Sequence, residues 1–402
     1  MTKAVYDVVI IGGGPGGLSA ALYAARGRLK TLVIEEKTQM GGQCATTSEL
    51  ENYPGIIDTG SGLSNKFYEH AKKFGAQFLK DRVIGFTIDT DGFHKNIQLK
   101  NNGEVIAKSI IIATGTKPRI IGIPGEEEFK GRGVSYCATC DADFYEDLDV
   151  VVVGSGNTAV EESVFLTKVV NQVNLVVIHE EGKLDADKIA QEQAFANPKI
   201  NFIWNSTIAA IEGDELVESV QLKNIKTGEL TKLETPGVFM FVGTVPQTDW
   251  LKGKFPLNQW GYINVDEKQE TEVAGVFAVG DVCDKFLRQV VTATGDGATA
   301  AVAALQYIEQ EEYWQEHVLG ADKPVLAVFW SPLQAESTAL MPEIEAFAQD
   351  HDFKIVPVDA SRNKRLAERY QIRELPTIVG LTKGKENIRL TQPQKSNFEE
   401  LL

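Results

Sequence analysis

An α/β chain with open, mainly parallel sheets is predicted by three observations. Two glycine-rich turns, Gly12-Gly13-Gly14-Pro15-Gly16-Gly17 and Gly154-Ser155-Gly156-Asn157-Thr158-Ala159, each follow a β-branched apolar run and precede an Ala-rich amphipathic stretch. A further strand-like run, Gly275-Val276-Phe277-Ala278-Val279-Gly280, arrives after the second unit with too little sequence around it to be a domain of its own. From Lys323 the strand and helix pattern starts again. The layout is that of two Rossmann-like, three-layer dinucleotide-binding domains, one inserted in the other, with a small C-terminal α/β domain.

The run Tyr6-Asp7-Val8-Val9-Ile10-Ile11 reads as the strand that feeds the first turn. In such a unit Gly12 allows the tight turn, Gly14 lets the backbone approach a pyrophosphate, and Gly17 brings helix against strand. Pro15 and Gly16 open the helix, whose unpaired N–H groups and positive dipole end face the phosphates. The next strand, Thr31-Leu32-Val33-Ile34-Glu35, ends on a carboxylate about 20 residues past Gly14, where an acidic side chain can hold ribose hydroxyls. Ile110-Ile111-Ile112-Ala113-Thr114-Gly115 reads as a buried strand ending in a turn, and Pro118 and Pro124 mark a linker.

The second βαβ region carries strand Asp149-Val150-Val151-Val152-Val153 and then Gly154, Gly156, Asn157 and Thr158 as candidate dinucleotide contacts. Between the two fingerprints lies Cys137-Ala138-Thr139-Cys140-Asp141. A dithiol so placed suggests electrons moving from one nucleotide site to the other through sulfur. Zinc would want a second Cys or His pair, and none of the 5 histidines stands at such spacing, so redox chemistry is favoured and no metal is expected. Cys44 and Cys283 are not spaced as a pair and read as small buried residues.

The strand before Gly280 delivers Asp281 at its carboxyl end, where ligands of open α/β sheets bind. The expected organisation is therefore 1–116 and 245–318 as two parts of one domain, 117–244 inserted in it, and 322–402 as the C-terminal domain. Within that layout an Ala-rich helix is expected near residues 297–308, and charged Glu309-Gln310-Glu311-Glu312-Tyr313 reads as its solvated end.

Among 402 residues, 56 are acidic and 40 basic, a formal net charge of -16. That balance argues against non-specific nucleic-acid or anionic-membrane binding. No segment approaches the ~20 apolar residues of a membrane span, and Met1-Thr2-Lys3-Ala4 leads straight into the first strand, so a cytoplasmic protein without a signal peptide is expected.

Together with Gly41-Gly42-Gln43, Glu51-Asn52-Tyr53-Pro54-Gly55 and Gly280-Asp281-Val282 followed by Arg288-Gln289, these motifs resemble the low-molecular-weight thioredoxin reductases over the first 320 or so residues. The resemblance implies a homodimeric FAD protein whose inserted nicotinamide-binding domain carries the redox dithiol and swings relative to the FAD domain. It places FAD against Gly12, Gly14, Pro15, Gly16, Gly17, Glu35, Gly42, Gln43, Asn52, Ala113, Thr114, Gly115, Gly280, Asp281, Arg288, Gln289 and Val290. It further implies that Cys140 faces the flavin, that Cys137 attacks the disulfide of thioredoxin or a thioredoxin-like protein, and that Asp141 supplies a proton to a leaving thiolate.

Two departures qualify the resemblance. Relatives that use NADPH carry His-Arg-Arg and a further Arg after the second strand of the inserted domain; here the matching place reads His179-Glu180-Glu181-Gly182. Carboxylates repel a 2′-phosphate and accept hydrogen bonds from an unmodified ribose, so NADH is expected over NADPH, with Glu180 as a candidate contact. Ferredoxin or another donor, with or without a second flavin, is the alternative that other relatives suggest. A peroxiredoxin-linked NADH oxidase or reductase and a redox-inert flavin scaffold are the other rival readings. The second departure is at the C-terminus, where Phe329-Trp330-Ser331-Pro332-Leu333, Pro342 and Leu375-Pro376-Thr377 resemble thioredoxin, but Gln334 and Ser337 occupy its two cysteine positions.

Overall fold

Alternate residues of each central strand face different layers, and that alternation builds the architecture. In the computed structural model, which describes residues 4–47 and 50–402, the chain divides into two units, one ending at Leu305 and one beginning at Gln306. The chain start at Met1-Thr2-Lys3 lies outside the described residues.

Within the first unit, Val5–Ile11 pairs in parallel with Thr31–Glu35 on one side and Glu104–Ile112 on the other. Val8, Val9 and Ile10 are all 0% exposed, as expected for a strand covered on both faces. Sheet order runs Gln77–Lys80, Thr31–Glu35, Val5–Ile11, Glu104–Ile112, Lys95–Leu99, Val83–Ile88. Val276–Ala278 enters the same sheet in parallel beside Glu104–Ile112, with Val276 opposite Ile110. Its apolar side chains join Val9, Ile11, Leu32, Ile34, Ile110 and Ile112 in one core cluster. A late segment thus completes a sheet begun at the N-terminus.

Between those passes the chain forms a second parallel sheet, ordered Val134–Ser135, Val238–Met240, Asp149–Val153, Gln172–Val176, Ile200–Ile203. Val150 and Val152 face helices Asn157–Leu166 and Lys188–Ala196 in one cluster, while Val151 and Val153 face Ile208, Val220 and Leu222 of an antiparallel three-stranded sheet in another. The period-two alternation of a four-valine run therefore fills two different cores. At roughly 1.5–3 kcal/mol per fully buried valine, these four side chains are a sizeable share of what holds the layers together. Thr116–Pro118 and Thr244–Pro246 run antiparallel where the chain leaves and re-enters.

In the second unit the four-stranded sheet is ordered Lys354–Asp359, Val325–Trp330, Thr377–Thr382, Lys385–Thr391, with the first pair parallel and the others antiparallel. The helix expected near 297–308 spans Val290–Trp314 and is followed by a π turn at Gln315–Leu319. The charged stretch is not a solvated end, because Trp314 and Val318, each 1% exposed, pack with Val325, Phe329, Val356 and Leu366. Glu311, 4% exposed, is reconciled with burial by an ion pair to Arg369. Among the described residues, no helix is long and apolar enough to cross a membrane.

Candidate functional site

The first fingerprint is a backbone turn that only glycine can make. Gly12 has φ +110, and a Cβ there would lie 2.3 Å from the Ala113 carbonyl oxygen; one on Gly17 would lie 2.0 Å from that of Gly12. At Gly14, which caps helix Pro15–Arg26, an added Cβ meets nothing within 4 Å, so the helix end opens on free space. Gly16 packs against Val279 and the Ala293 carbonyl. Glu35 reaches back to this turn, its Oε2 accepting from Gly13 N at 2.7 Å and its Oε1 from Lys37 N at 2.9 Å.

Facing the turn from other segments, Gly42 has φ +58 and lies within a Cβ contact distance of 3.4 Å from Gly14 Cα. Gln43 Nε2 donates to the Thr116 carbonyl and hydroxyl, both at 2.7 Å. Ala113 N donates to Ile11 O at 2.8 Å, Thr114 Oγ1 donates to Gln247 O at 3.0 Å, and Gln247 N donates to Gly115 O at 2.9 Å. Asn52 Nδ2 donates to Gln289 Oε1 at 3.2 Å, which joins two motifs far apart in sequence. Val290 starts the long helix beside them.

The Gly280 turn, φ +73, is held by Asp296, whose Oδ2 accepts from Gly280 N at 3.0 Å and pairs with Lys285. Burial holds the Asp281 carboxyl above the usual range, and no hydrogen bond to a described residue satisfies it. Arg288 lies with its guanidinium 4.5 Å from the Tyr262 ring centroid, and its Nε is buried without a partner. Both free cysteines are buried, and burial pushes both thiols up, as befits inert side chains.

Cys137 and Cys140 are joined as a disulfide, with Cα atoms 5.4 Å apart, at the start of the short helix Ala138–Asp141. Cys140 is exposed and Cys137 half-buried. Ser135 organises the motif: its hydroxyl donates to Asp141 Oδ2 at 2.6 Å and accepts from Cys137 N at 3.1 Å. Thr139 Oγ1 donates to the Thr46 carbonyl at 2.8 Å, which docks the dithiol helix on the segment Cys44–Thr46 next to Gln43.

The second fingerprint repeats the geometry of the first. Gly154 has φ +144, and a Cβ there would lie 2.4 Å from the Phe241 carbonyl oxygen, whereas Gly156, capping helix Asn157–Leu166, has nothing within 4 Å. Asn157 binds Asp187 reciprocally, donating from Nδ2 at 2.7 Å and accepting from Asp187 N at 2.9 Å. Thr158 lies in the first turn of the same helix. Glu180, expected to reach a ribose, is exposed and stands 3.9 Å from Lys226 rather than at the turn. Asp185 is the carboxylate brought to it, accepting from Ser155 Oγ at 2.6 Å and meeting His179 Nε2 at 2.7 Å.

In the C-terminal unit Gln334 caps helix Ala335–Asp350 and accepts from the buried Ser337 hydroxyl at 3.2 Å, while Leu375–Pro376 is a cis peptide. Two side chains without sulfur cannot form a disulfide there.

Sequence reasoning missed Ser135, Thr46, Tyr262, Asp296 and Asp185. Each lies outside a glycine or cysteine motif and acts through a contact that folding alone creates; only the Cys-x-x-Cys spacing two residues downstream pointed toward Ser135.

Two open helix ends behind strained glycine turns, an unsatisfied Asp281 and an orphaned Arg288 Nε fit FAD at the first site and a pyridine nucleotide at the second. With the disulfide between them, they define a two-dinucleotide disulfide oxidoreductase. Residues 6–297 match the pyridine nucleotide-disulphide oxidoreductase family and residues 305–401 the thioredoxin family. Among curated relatives, thioredoxin reductase of Peptoclostridium acidaminophilum is 49% identical over 313 residues, 76% of this chain and 98% of that protein. That of Bacillus subtilis (strain 168) is 44% identical over 308 residues, 76% and 96%. The crystal structure of Lactococcus lactis thioredoxin reductase in its FR conformation is 43% identical with a TM-score of 0.73, covering 76% of this chain and 99% of that one. That of T. acidophilum thioredoxin reductase is 34% identical with a TM-score of 0.71, covering 76% and 99%. The chain belongs to the pyridine nucleotide-disulphide oxidoreductase family, as a thioredoxin reductase-type enzyme acting on a sulfur group, with a thioredoxin-like domain appended.

Proposed function

We propose that the protein reduces the disulfide of thioredoxin or a thioredoxin-like protein with electrons from NADH, as a homodimer. In this reading FAD is held by residues 1–116 and the segment from residue 245, through the residues of the first fingerprint, Glu35, Gly42, Gln43, Asn52, Ala113 to Gly115, Gly280, Asp281 and Arg288 to Val290. Residues 117–244 carry the nicotinamide site and the dithiol. FAD supplies the exchange between hydride and two-electron disulfide chemistry. The observation that carries the reading is the disulfide helix bound through Thr139 to Thr46, beside Gln43.

The remaining steps belong to the chain. Once reduced, Cys137 as thiolate attacks one sulfur of the partner disulfide, forming a mixed disulfide and releasing the other partner sulfur as thiolate. Asp141, oriented by the Ser135 hydroxyl, delivers a proton to that leaving sulfur. Cys140 then attacks Cys137 Sγ, which re-forms the Cys137–Cys140 disulfide and frees the partner with two electrons and two protons gained. NADH rather than NADPH is supported by the carboxylates of the loop His179-Glu180-Glu181 and by Asp185 at the fingerprint.

Anaerobic titration of the holoenzyme tests the donor. NADH should bleach the oxidised flavin bands at least tenfold faster than NADPH at equal concentration. Inertness to both, with prompt reduction by reduced ferredoxin, would remove the NADH assignment and favour the ferredoxin alternative.

A further inference from the structure

Loop 179–187 is stitched to the second glycine turn by more bonds than a connecting loop needs. The Ser155 carbonyl accepts from both Asp185 N at 2.8 Å and Ala186 N at 3.1 Å, and the Ser155 hydroxyl donates to Asp185 Oδ2 at 2.6 Å. His179 closes the group from the end of the preceding strand, its Nε2 at 2.7 Å from the same oxygen. Because a carboxylate only accepts, Nε2 carries the proton in this contact. Two donors on Oδ2 leave Oδ1 with no hydrogen bond to a described residue, on a side chain that is 57% exposed. The result is a fixed carboxylate with one free oxygen, presented by the residue between the two glycines.

Position decides what that oxygen meets. A pyrophosphate at the open end beyond Gly156 leads its adenosine ribose outward past the turn and the strand end, which is where Ser155, His179 and Asp185 stand. We propose that Asp185, held by Ser155 and His179, is the residue that selects an unphosphorylated adenosine ribose. This rests on the pyridine-nucleotide reading above and gives it a specific discriminator in place of Glu180. The free Oδ1 accepts from a ribose hydroxyl, and the same charge repels a 2′-phosphate placed there. The two donors hold the Asp185 carboxyl below its usual range, so the charge is present throughout the neutral region. Glu180, 67% exposed and 3.9 Å from Lys226, has no comparable fixing.

Calorimetric titration of the oxidised holoenzyme with ADP-ribose and with 2′-phospho-ADP-ribose tests the assignment without turnover. Both ligands are measured on each variant, so partial loss of folded protein cancels in their ratio. The native chain should favour ADP-ribose by at least about tenfold, Asp185→Asn should reduce that preference to about threefold or less, and Asp185→Arg should invert it. If Asp185→Asn and Asp185→Arg keep the native ratio, or Glu180→Gln collapses it while Asp185→Asn does not, the inference is overturned and the nicotinamide reading stands. If the native chain binds neither ligand, the nicotinamide reading itself fails and the inference with it.

Discussion

Cys137 and Cys140 differ in setting although they share a bond: Cys140 is exposed on the turn docked at Thr46, while Cys137 is half-buried beside Ser135. Replacing either with Ser should lower disulfide reduction by at least about a thousandfold while FAD stays bound, since neither sulfur helps form a glycine turn. Cys137→Ser should also leave a Cys140 thiolate beside the flavin, visible as a long-wavelength absorption band that Cys140→Ser lacks; the opposite pattern would exchange the two roles. Glu162, on the helix that opens at Gly156, is 8% exposed, its Oε2 has no partner, and burial lifts its carboxyl from 4.5 to about 7. The folded state therefore keeps a proton that the unfolded chain releases, so stability is full below about pH 4.5 and drains as pH rises to about 7, by about 3 kcal/mol. Glu162→Gln should raise the thermal midpoint by a few degrees at pH 8 and have little effect at pH 4.5. An equal shift at both values would remove ionisation as the cause.

At the scale of elements, the long helix Val290–Trp314 crosses helix Pro15–Arg26 at two glycines. A Cβ on Gly297 would lie 2.1 Å from Gly16 O and 2.9 Å from Ala20 N, both backbone atoms that cannot move aside. Gly297→Ala should therefore cost on the order of 3 kcal/mol and, because Gly16 belongs to the first turn, loosen FAD as well. Flavin content and thermal unfolding would check both effects, and a fully loaded, equally stable variant would contradict them. Both fingerprints were legible as strand, glycine turn and helix because the φ +110 at Gly12 and +144 at Gly154 demand residues without side chains. Asp185 was not legible. It lies well beyond the acidic position that spacing suggests, and the loop's return to Ser155 is a tertiary contact with no local signature.

For the whole molecule, the boundary before the C-terminal unit sets a practical prediction. Trp314 and Val318 belong to its core, so a chain ending at residue 322 keeps apolar side chains whose covering it has lost. A chain ending at Leu305 should remain soluble, bind FAD and reduce its own Cys137–Cys140 disulfide, whereas one ending at 322 should aggregate. Sizing and flavin content distinguish the two, and equal solubility would contradict this division.

Composition and local pattern determined by themselves the α/β class, both nucleotide turns, the redox dithiol and the absence of sulfur at Gln334 and Ser337, because each depends on residue type at short spacing. Tertiary structure alone decided that Val276–Ala278 closes the first sheet, that Ser135 orients Asp141, that Trp314 is core rather than linker, and that Asp185 rather than Glu180 meets the second turn. Except for the local Ser135 turn, these pair segments far apart along the chain. Their partners are chosen by which surfaces meet when apolar faces are buried, and no run of neighbouring residues encodes that choice.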